Sequence, residues 1–378
     1  MSSDHDHDQL IHSPLHSKHQ ELGAKFAPFG GWDMPLEYAG GGVLAEHVAV
    51  REHVGMFDVS HLGTAVVAGP GAAAALNAVL ANDLNRISVG QAQYTLLLTE
   101  SGGVVDDLIA YLVSPDEVLL VPNASNSAAV LGIIRESISH DIVVTDQHRD
   151  IAIIAVQGPE SAAVLAEVGL PSGLDYMAFE VRDWNGHSVT VCRTGYTGEH
   201  GYEILVAAED AASLWDALAA SVASHGGRPA GLAARDTLRT EMGYPLHGQD
   251  LSPDIDPVTA GATWAVGWDK PAFHGREAVV DVRAAGPARR IRGLRLIDRG
   301  VPRPHMVVRR TAAAGDLSGE VAGEVTSGTH SPTLREGIAL ALLAADLDVG
   351  SEVVLDVRGR PVRAVVSRLP FVPSHVRD

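Results

Sequence analysis

Ala92-Gln-Tyr-Thr-Leu-Leu-Leu-Thr99, Val104-Val-Asp-Asp-Leu-Ile-Ala-Tyr-Leu-Val113 and Glu117-Val-Leu-Leu-Val-Pro122 are three β-rich runs, parted by Ser101-Gly102-Gly103 and Ser114-Pro115-Asp116. Turn residues at that spacing predict an antiparallel meander. On either side of it lies a weak repeat. Thr64–Gly69 reads as a strand followed by Pro70 and a helical run, Ala72–Leu80; Ile151–Gly158 reads as a strand followed by Pro159 and a helical run, Glu160–Val168. Proline in the first helical turn is harmless, because no partner exists there for its missing N–H. The repeat suggests two related α+β modules. Val189–Arg193 and Gly201–Val206 flank a turn at Gly195–His200 and predict a second hairpin. Beyond about Ala285, short strands alternate with turn signals at Asp298–Pro304, Ala314–Gly319, Ser327–Pro332 and Arg358–Pro361. That texture predicts a small C-terminal β-barrel or sandwich.

The 378 residues predict two to three domains. Apolar residues at 46% and charged residues at 20% exclude disorder for most of the chain. Ile151–Val156 and Ile338–Ala345 are the longest apolar stretches, far short of the ~20 residues a membrane span needs. A net charge of −19 repels polyphosphate, which argues against nucleic-acid and anionic-membrane partners. The single cysteine, Cys192, forms no internal disulfide or zinc knuckle, so a reducing compartment fits. The first 50 residues hold no arginine and only Lys18 and Lys25, with no signal-type apolar core. Cytoplasmic localisation is the expectation.

Two histidine-bearing segments read as bland. Asp4-His5-Asp6-His7-Asp8 is a polar head, read as a mobile tail in preference to a loose metal site. His47 and His53 lie in the helical segment Val43–His53, six apart, so they cannot clamp a metal from one face and are read as solvated.

The chain has no Walker-type loop, dinucleotide glycine fingerprint, paired-histidine zinc helix or Gly-x-Ser-x-Gly elbow. Three constellations remain. Asp106 and Asp107 are adjacent in a strand, so one faces out with Val105, Ile109 and Tyr111 or with Val104, Leu108 and Ala110, and the other faces the opposite way. The inward one needs a partner or a proton, and a turn-proximal acid bonded to backbone is the bland alternative. Arg193-Thr-Gly-Tyr-Thr-Gly-Glu199 with Gly201-Tyr-Glu203 offers glycines, a flat phenol and a carboxylate. It suits a planar heterocycle with an amino-pyrimidine edge, or is merely a glycine-rich hairpin. Arg235 stands near the start of a predicted helix, where a surface ion pair is the plain reading.

Taken together the motifs resemble the T protein of the glycine cleavage system, an aminomethyltransferase family. The carriers are Phe29-Gly-Gly-Trp-Asp-Met-Pro-Leu36, Val54-Gly-Met-Phe-Asp-Val-Ser-His61, Gly102-Gly-Val-Val-Asp-Asp107, Arg193-Thr-Gly-Tyr-Thr-Gly-Glu199, Gly231-Leu-Ala-Ala-Arg-Asp236, Gly248-Gln-Asp250 and Gly323-Glu-Val-Thr-Ser-Gly328 with Ser331-Pro-Thr333. They run in order over about residues 15–373. The resemblance implies an α+β fold of three domains around a central folate site. Residues 1–60 plus 148–235 and 61–147 plus 236–285 would be interleaved modules, and 286–378 a β-barrel. It implies transfer of the methylene of S-aminomethyl-dihydrolipoyl H protein to tetrahydrofolate as cosubstrate, with release of ammonia. Lipoylated H protein and folate would be the partners, and no metal is expected.

Carried over by position, the catalytic aspartate is Asp107, which the resemblance implies contacts the folate's reacting nitrogens and organises proton movement as the C–S bond breaks; it is expected as an inward carboxylate on a rigid strand. Tyr94, Asn123, Tyr196, Glu203 and Arg235 match folate-contacting positions, and Trp264 matches a wall residue. Leu62 stands where members commonly carry methionine against the folate, a swap of similar volume that should keep the apolar wall of the folate site. Folate-binding relatives without aminomethyl transfer carry Lys-Gly-Cys-Tyr where this chain has Arg193-Thr-Gly-Tyr196. Cys192 precedes that motif and reads as a buried small hydrophobe.

Overall fold

The structure, a computed structural model, describes residues 10–311 and 316–378. The Asp4–Asp8 head and the start of the expected turn at Ala314 lie outside the described residues. The chain divides into two compact units, Met1–Thr95 with Asp107–Asp236 and His375–Asp378, and Leu96–Asp106 with Thr237–Ser374.

The first unit is α+β. Its central run, Ile151-Ala-Ile-Ile-Ala-Val-Gln157, is apolar without alternation because both faces are covered. That strand lies inside a six-stranded sheet, in the order Phe179–Trp184, His187–Cys192, Gly201–Ala207, Ile151–Gln157, Gly55–Asp58, Arg228–Pro229. The helices Ser161–Glu167 and Ala211–Ser224 supply Val164, Leu165, Leu214, Trp215, Leu218 and Val222 to the core they share with Ile154, Val156 and Ile204. Trp215 is 1% exposed, so Trp215→Ala would cost about 3–5 kcal/mol.

The meander is present. Gln91–Leu98, Val104–Ser114 and Glu117–Val121 are successive neighbours in a five-stranded sheet completed by Ala65–Ala68 and Val143–Asp146. The unit boundary falls inside its first two strands. The two halves of the repeat thus fall in different sheets. Each keeps its glycine for the same reason: Gly69 has φ +148° and Gly158 φ +137°, and a Cβ would lie 2.6 Å from the Asp141 carbonyl oxygen or 2.4 Å from that of His53.

A third, small sheet pairs Ile11–His12 and Lys25–Phe29 on either side of Trp32–Glu37. The helix Gly42–Glu52 follows it, and here one expectation fails. His47 is 1% exposed rather than solvated, whereas His53, just past the helix end, is exposed.

The second unit contains a closed six-stranded barrel, in the order Arg289–Leu296, Glu336–Ala344, Val321–Ser331, Val307–Arg310, Glu352–Val357, Arg360–Ser367. The turn at Arg358–Pro361 is where the sequence places it, with Arg358 and Gly359 at positive φ. Ser327–Pro332 is not a turn: its first five residues end the bulged strand Val321–Ser331. Its serines are buried because they serve acids. The Ser327 hydroxyl donates to Asp250 (2.7 Å) and that of Ser331 to Glu241. Asp250 also takes Arg239 at 2.9 Å, both side chains being nearly fully buried. Among the described residues no helix is long and apolar enough to cross a membrane.

Candidate active site

Strand Val104–Ser114 decides which carboxylate can meet a substrate. Val104, Asp106, Leu108, Ala110 and Leu112 are all buried, and Asp106 is 0% exposed. The inward carboxylate is therefore Asp106, and the expectation of an inward Asp107 is corrected. Asp107 shares the opposite face with Val105, Ile109 and Val113, all half-buried. A group that must reach a substrate belongs on that half-open face.

Asp107 is held from both oxygens. The Tyr94 hydroxyl donates to Oδ2 at 3.0 Å, and the Asn123 amide donates to Oδ1 at 3.0 Å and to the Asp107 carbonyl at 2.8 Å. Two residues, 13 positions before it and 16 after, thus fix the plane of one carboxylate. Asn123 sits just past the neighbouring strand, and Pro122 beside it accepts the Gly63 N–H at 2.8 Å. A Cβ on Gly63 would stand 2.7 Å from Pro122, so only glycine lets the segment carrying His61 and Leu62 approach.

Tyr111 stands on the same strand face as Asp107, four residues on and about 13 Å away along the strand. Its hydroxyl meets the Thr194 hydroxyl at 3.3 Å, and Thr194 donates to Glu203 Oε2 at 2.6 Å. The Asp107 strand is thereby linked to the glycine-rich hairpin. Gln157 shapes that hairpin by donating to the carbonyls of Thr194 and Tyr202 and accepting from Thr197 at 2.8 Å. A Cβ on Gly195 would fall 2.0 Å from Gln157 Oε1, and one on Gly201 2.4 Å from its Nε2. The glycines admit the amide. Arg51 grips the far side, donating to the Thr197 carbonyl (2.8 Å) and to Glu199 (2.7 Å), and His375 also meets Glu199 (3.0 Å).

Arg235 is not a surface ion pair. Its guanidinium lies over the Tyr196 ring at 4.7 Å, and its Nη1 is buried with no hydrogen-bond partner among the described residues. Burial lowers its pKa, with Glu203 and Tyr196 opposing. Its helix, Leu232–Glu241, is held at the start by Glu46. One carboxylate oxygen accepts the Gly231 N–H (2.9 Å) and the other the Tyr38 N–H (2.6 Å). Burial raises the Glu46 pKa and those two bonds lower it. His61 is 2% exposed; burial first, then the Arg235 charge, lowers its pKa to about 3, so its ring is neutral at pH 7. Its Nδ1 also lacks a partner among the described residues.

Tyr94, Asp107 and Asn123 therefore form one cluster, and Tyr196, Glu203 and Arg235 another, with Leu62 next to His61. Trp264 belongs to the second unit, on the short turn Thr263–Ala265, and is 64% exposed. Cys192 is fully buried and burial raises its thiol pKa far above the ordinary range, so no thiolate is available there. Sequence reasoning missed Thr194, Gln157, Glu46 and His61. Their signal was weak: single polar residues inside otherwise apolar or motif-bearing segments.

Comparison with known proteins gives a consistent result. Residues 15–270 match the GCVT N-terminal domain, and residues 289–373 match the glycine cleavage T-protein C-terminal barrel domain. An aminomethyltransferase of Parafrankia sp. is 58% identical over 369 residues, covering 98% of this chain and 100% of that protein. An aminomethyltransferase of Mycobacterium tuberculosis is 55% identical over 371 residues, covering 98% and 99%. The crystal structure of the glycine cleavage system aminomethyltransferase T from Bartonella henselae superposes with a TM-score of 0.90 at 35% identity, covering 98% of this chain and 100% of that one.

Proposed function

The chain belongs to the glycine cleavage T-protein family and is an aminomethyltransferase of the glycine cleavage system; from that premise we propose that Asp107 is its catalytic residue and that tetrahydrofolate is its methylene acceptor. The donor in this reading is the aminomethyl-dihydrolipoyl arm of H protein, and ammonia is the second product. The observation that carries the proposal is the Asp107 carboxylate, fixed from both oxygens on the half-open strand face.

The residues present suit a folate. Tyr196 under Arg235 offers a flat, cation-capped ring, and Glu203 is an acceptor for the N–H donors of an amino-pyrimidine edge. Arg235 Nη1 and His61 Nδ1, buried and without a partner among the described residues, are polar atoms whose hydrogen bonds a ligand would complete. Tetrahydrofolate, when bound, would supply the nitrogen nucleophiles that accept the methylene.

What remains falls to this chain. Asp107 holds or moves a proton at its carboxylate while Tyr94 and Asn123 keep it aimed. Thr194 orients Glu203, and Tyr111 steadies Thr194. Leu62 supplies apolar wall. The experiment is turnover with aminomethyl-lipoyl H protein, with and without tetrahydrofolate, following ammonia and methylene-tetrahydrofolate together. The proposal expects stoichiometric formation of both, dependent on each substrate. Equal rates without folate would contradict it.

A further inference from the structure

The strand Ile11–His12 runs parallel to Trp32–Glu37 in a register that sets His12 beside Asp33. The chain then turns at Ser13-Pro14-Leu15, with the His16 N–H donating to the Ser13 carbonyl at 2.9 Å, and His16 opens the helix His16–Glu21. One ligand atom from each of His12, His16 and Asp33 lies within 4.8 Å of the others. The two imidazoles are parallel to within 2°, their centroids 4.0 Å apart. Phe26 flanks His16 at 4.5 Å.

We propose that His12, His16 and Asp33 form a binding site for a divalent transition metal, zinc by donor set, that ties the first strand to its neighbour. Three observations support it. Two imidazoles and one carboxylate are donors that zinc and its first-row neighbours take. Ligand atoms around a tetrahedral zinc stand about 3.4 Å apart at zinc–nitrogen distances of about 2.05 Å, and the three ligand atoms here already lie within 4.8 Å of one another. His16 Nδ1 is buried with no hydrogen-bond partner among the described residues, a lone pair or N–H that structures rarely leave unused. Three protein donors leave a fourth position to water. The strand Ile11–His12 has only two residues, so a metal bridging it to Asp33 would add what so short a ladder lacks.

None of the three ligands is among the residues assigned to methylene transfer, and the test does not depend on turnover. Cobalt(II) is titrated into the full chain, read by its visible absorption, and displaced by zinc. All measurements are made with and without His5→Asn and His7→Asn, which remove the imidazoles of the head. Bound metal of one per chain is expected to survive the head changes. It should weaken on His16→Asn or Asp33→Asn by more than the roughly 10–100-fold that loss of an outer-shell partner costs. His12→Ala, at an exposed position, should do the same in a folded chain, and zinc should raise the melting temperature of the parent but not of these variants. Binding that follows His5 and His7 alone, or that ignores His12, His16 and Asp33, would overturn the proposal.

Discussion

Asp106 and Asp107 are one peptide bond apart and face opposite ways, the first fully buried and the second half-open with both carboxylate oxygens in hydrogen bonds. The twofold period of a strand divides two identical side chains into different jobs. Asp106→Asn is therefore expected to act on stability. Its urea midpoint should fall by an amount worth about 1–3 kcal/mol, while kcat per folded molecule stays within a few-fold. Equilibrium unfolding beside active-site titration checks this.

Thr194→Val removes the donor that orients Glu203. Loss of about 1 kcal/mol of hydrogen bonding corresponds to a several-fold rise in KM for tetrahydrofolate, with kcat changed less. Steady-state kinetics at fixed H protein gives the split. A fall in kcat at constant KM would remove Glu203 from folate binding.

Gly195→Ala places a methyl into the Gln157 amide. It is expected to destabilise by about 1–3 kcal/mol, as overpacking does. Combining it with Gln157→Ala should relieve part of that cost, so the two changes together destabilise less than their sum. A double-mutant cycle by denaturant unfolding measures the coupling, and additivity would show that the loop evades the clash.

His61 gives a pH dependence of definite sign. Folded, its pKa is about 3; unfolded, it titrates near 6.5, so below that the unfolded chain binds the proton first. Its contribution to stability is present in full above about pH 6.5 and declines as pH falls towards 3. Between pH 7.5 and 5 the loss is on the order of 2 kcal/mol. His61→Gln should remove that portion of the slope. Parallel slopes in variant and parent would show that the ring takes its proton without unfolding.

Much of the fold was legible in the sequence. The meander, the two strand-Gly-Pro-helix units, the hairpin around Gly195–His200 and the C-terminal barrel all carry local signals: turn residues, apolar runs and proline at a helix start. Most of the errors share one cause, which is tertiary burial of polar residues. Ser327 and Ser331 look like turn formers, yet they end a strand because Asp250 and Glu241 take their hydroxyls. His47 looks solvated on its helix and is buried. Arg235 looks like a surface charge and lies over Tyr196. The facing of Asp106 and Asp107 was undecidable from alternation alone, since both strand faces carry aliphatic residues.

The central claim is that Asp107 acts in methylene transfer and not in holding the fold or the folate. Asp107→Asn preserves its shape, and its amide can still pair with Tyr94 and Asn123. The most direct measurement is single-turnover transfer from aminomethyl-lipoyl H protein beside the dissociation constant for tetrahydrofolate on the same variant. The account predicts a fall in the transfer rate of about 10²-fold or more, with folate affinity changed by no more than a few-fold. An unchanged transfer rate, or a loss of folate affinity as large as the loss in rate, would contradict it.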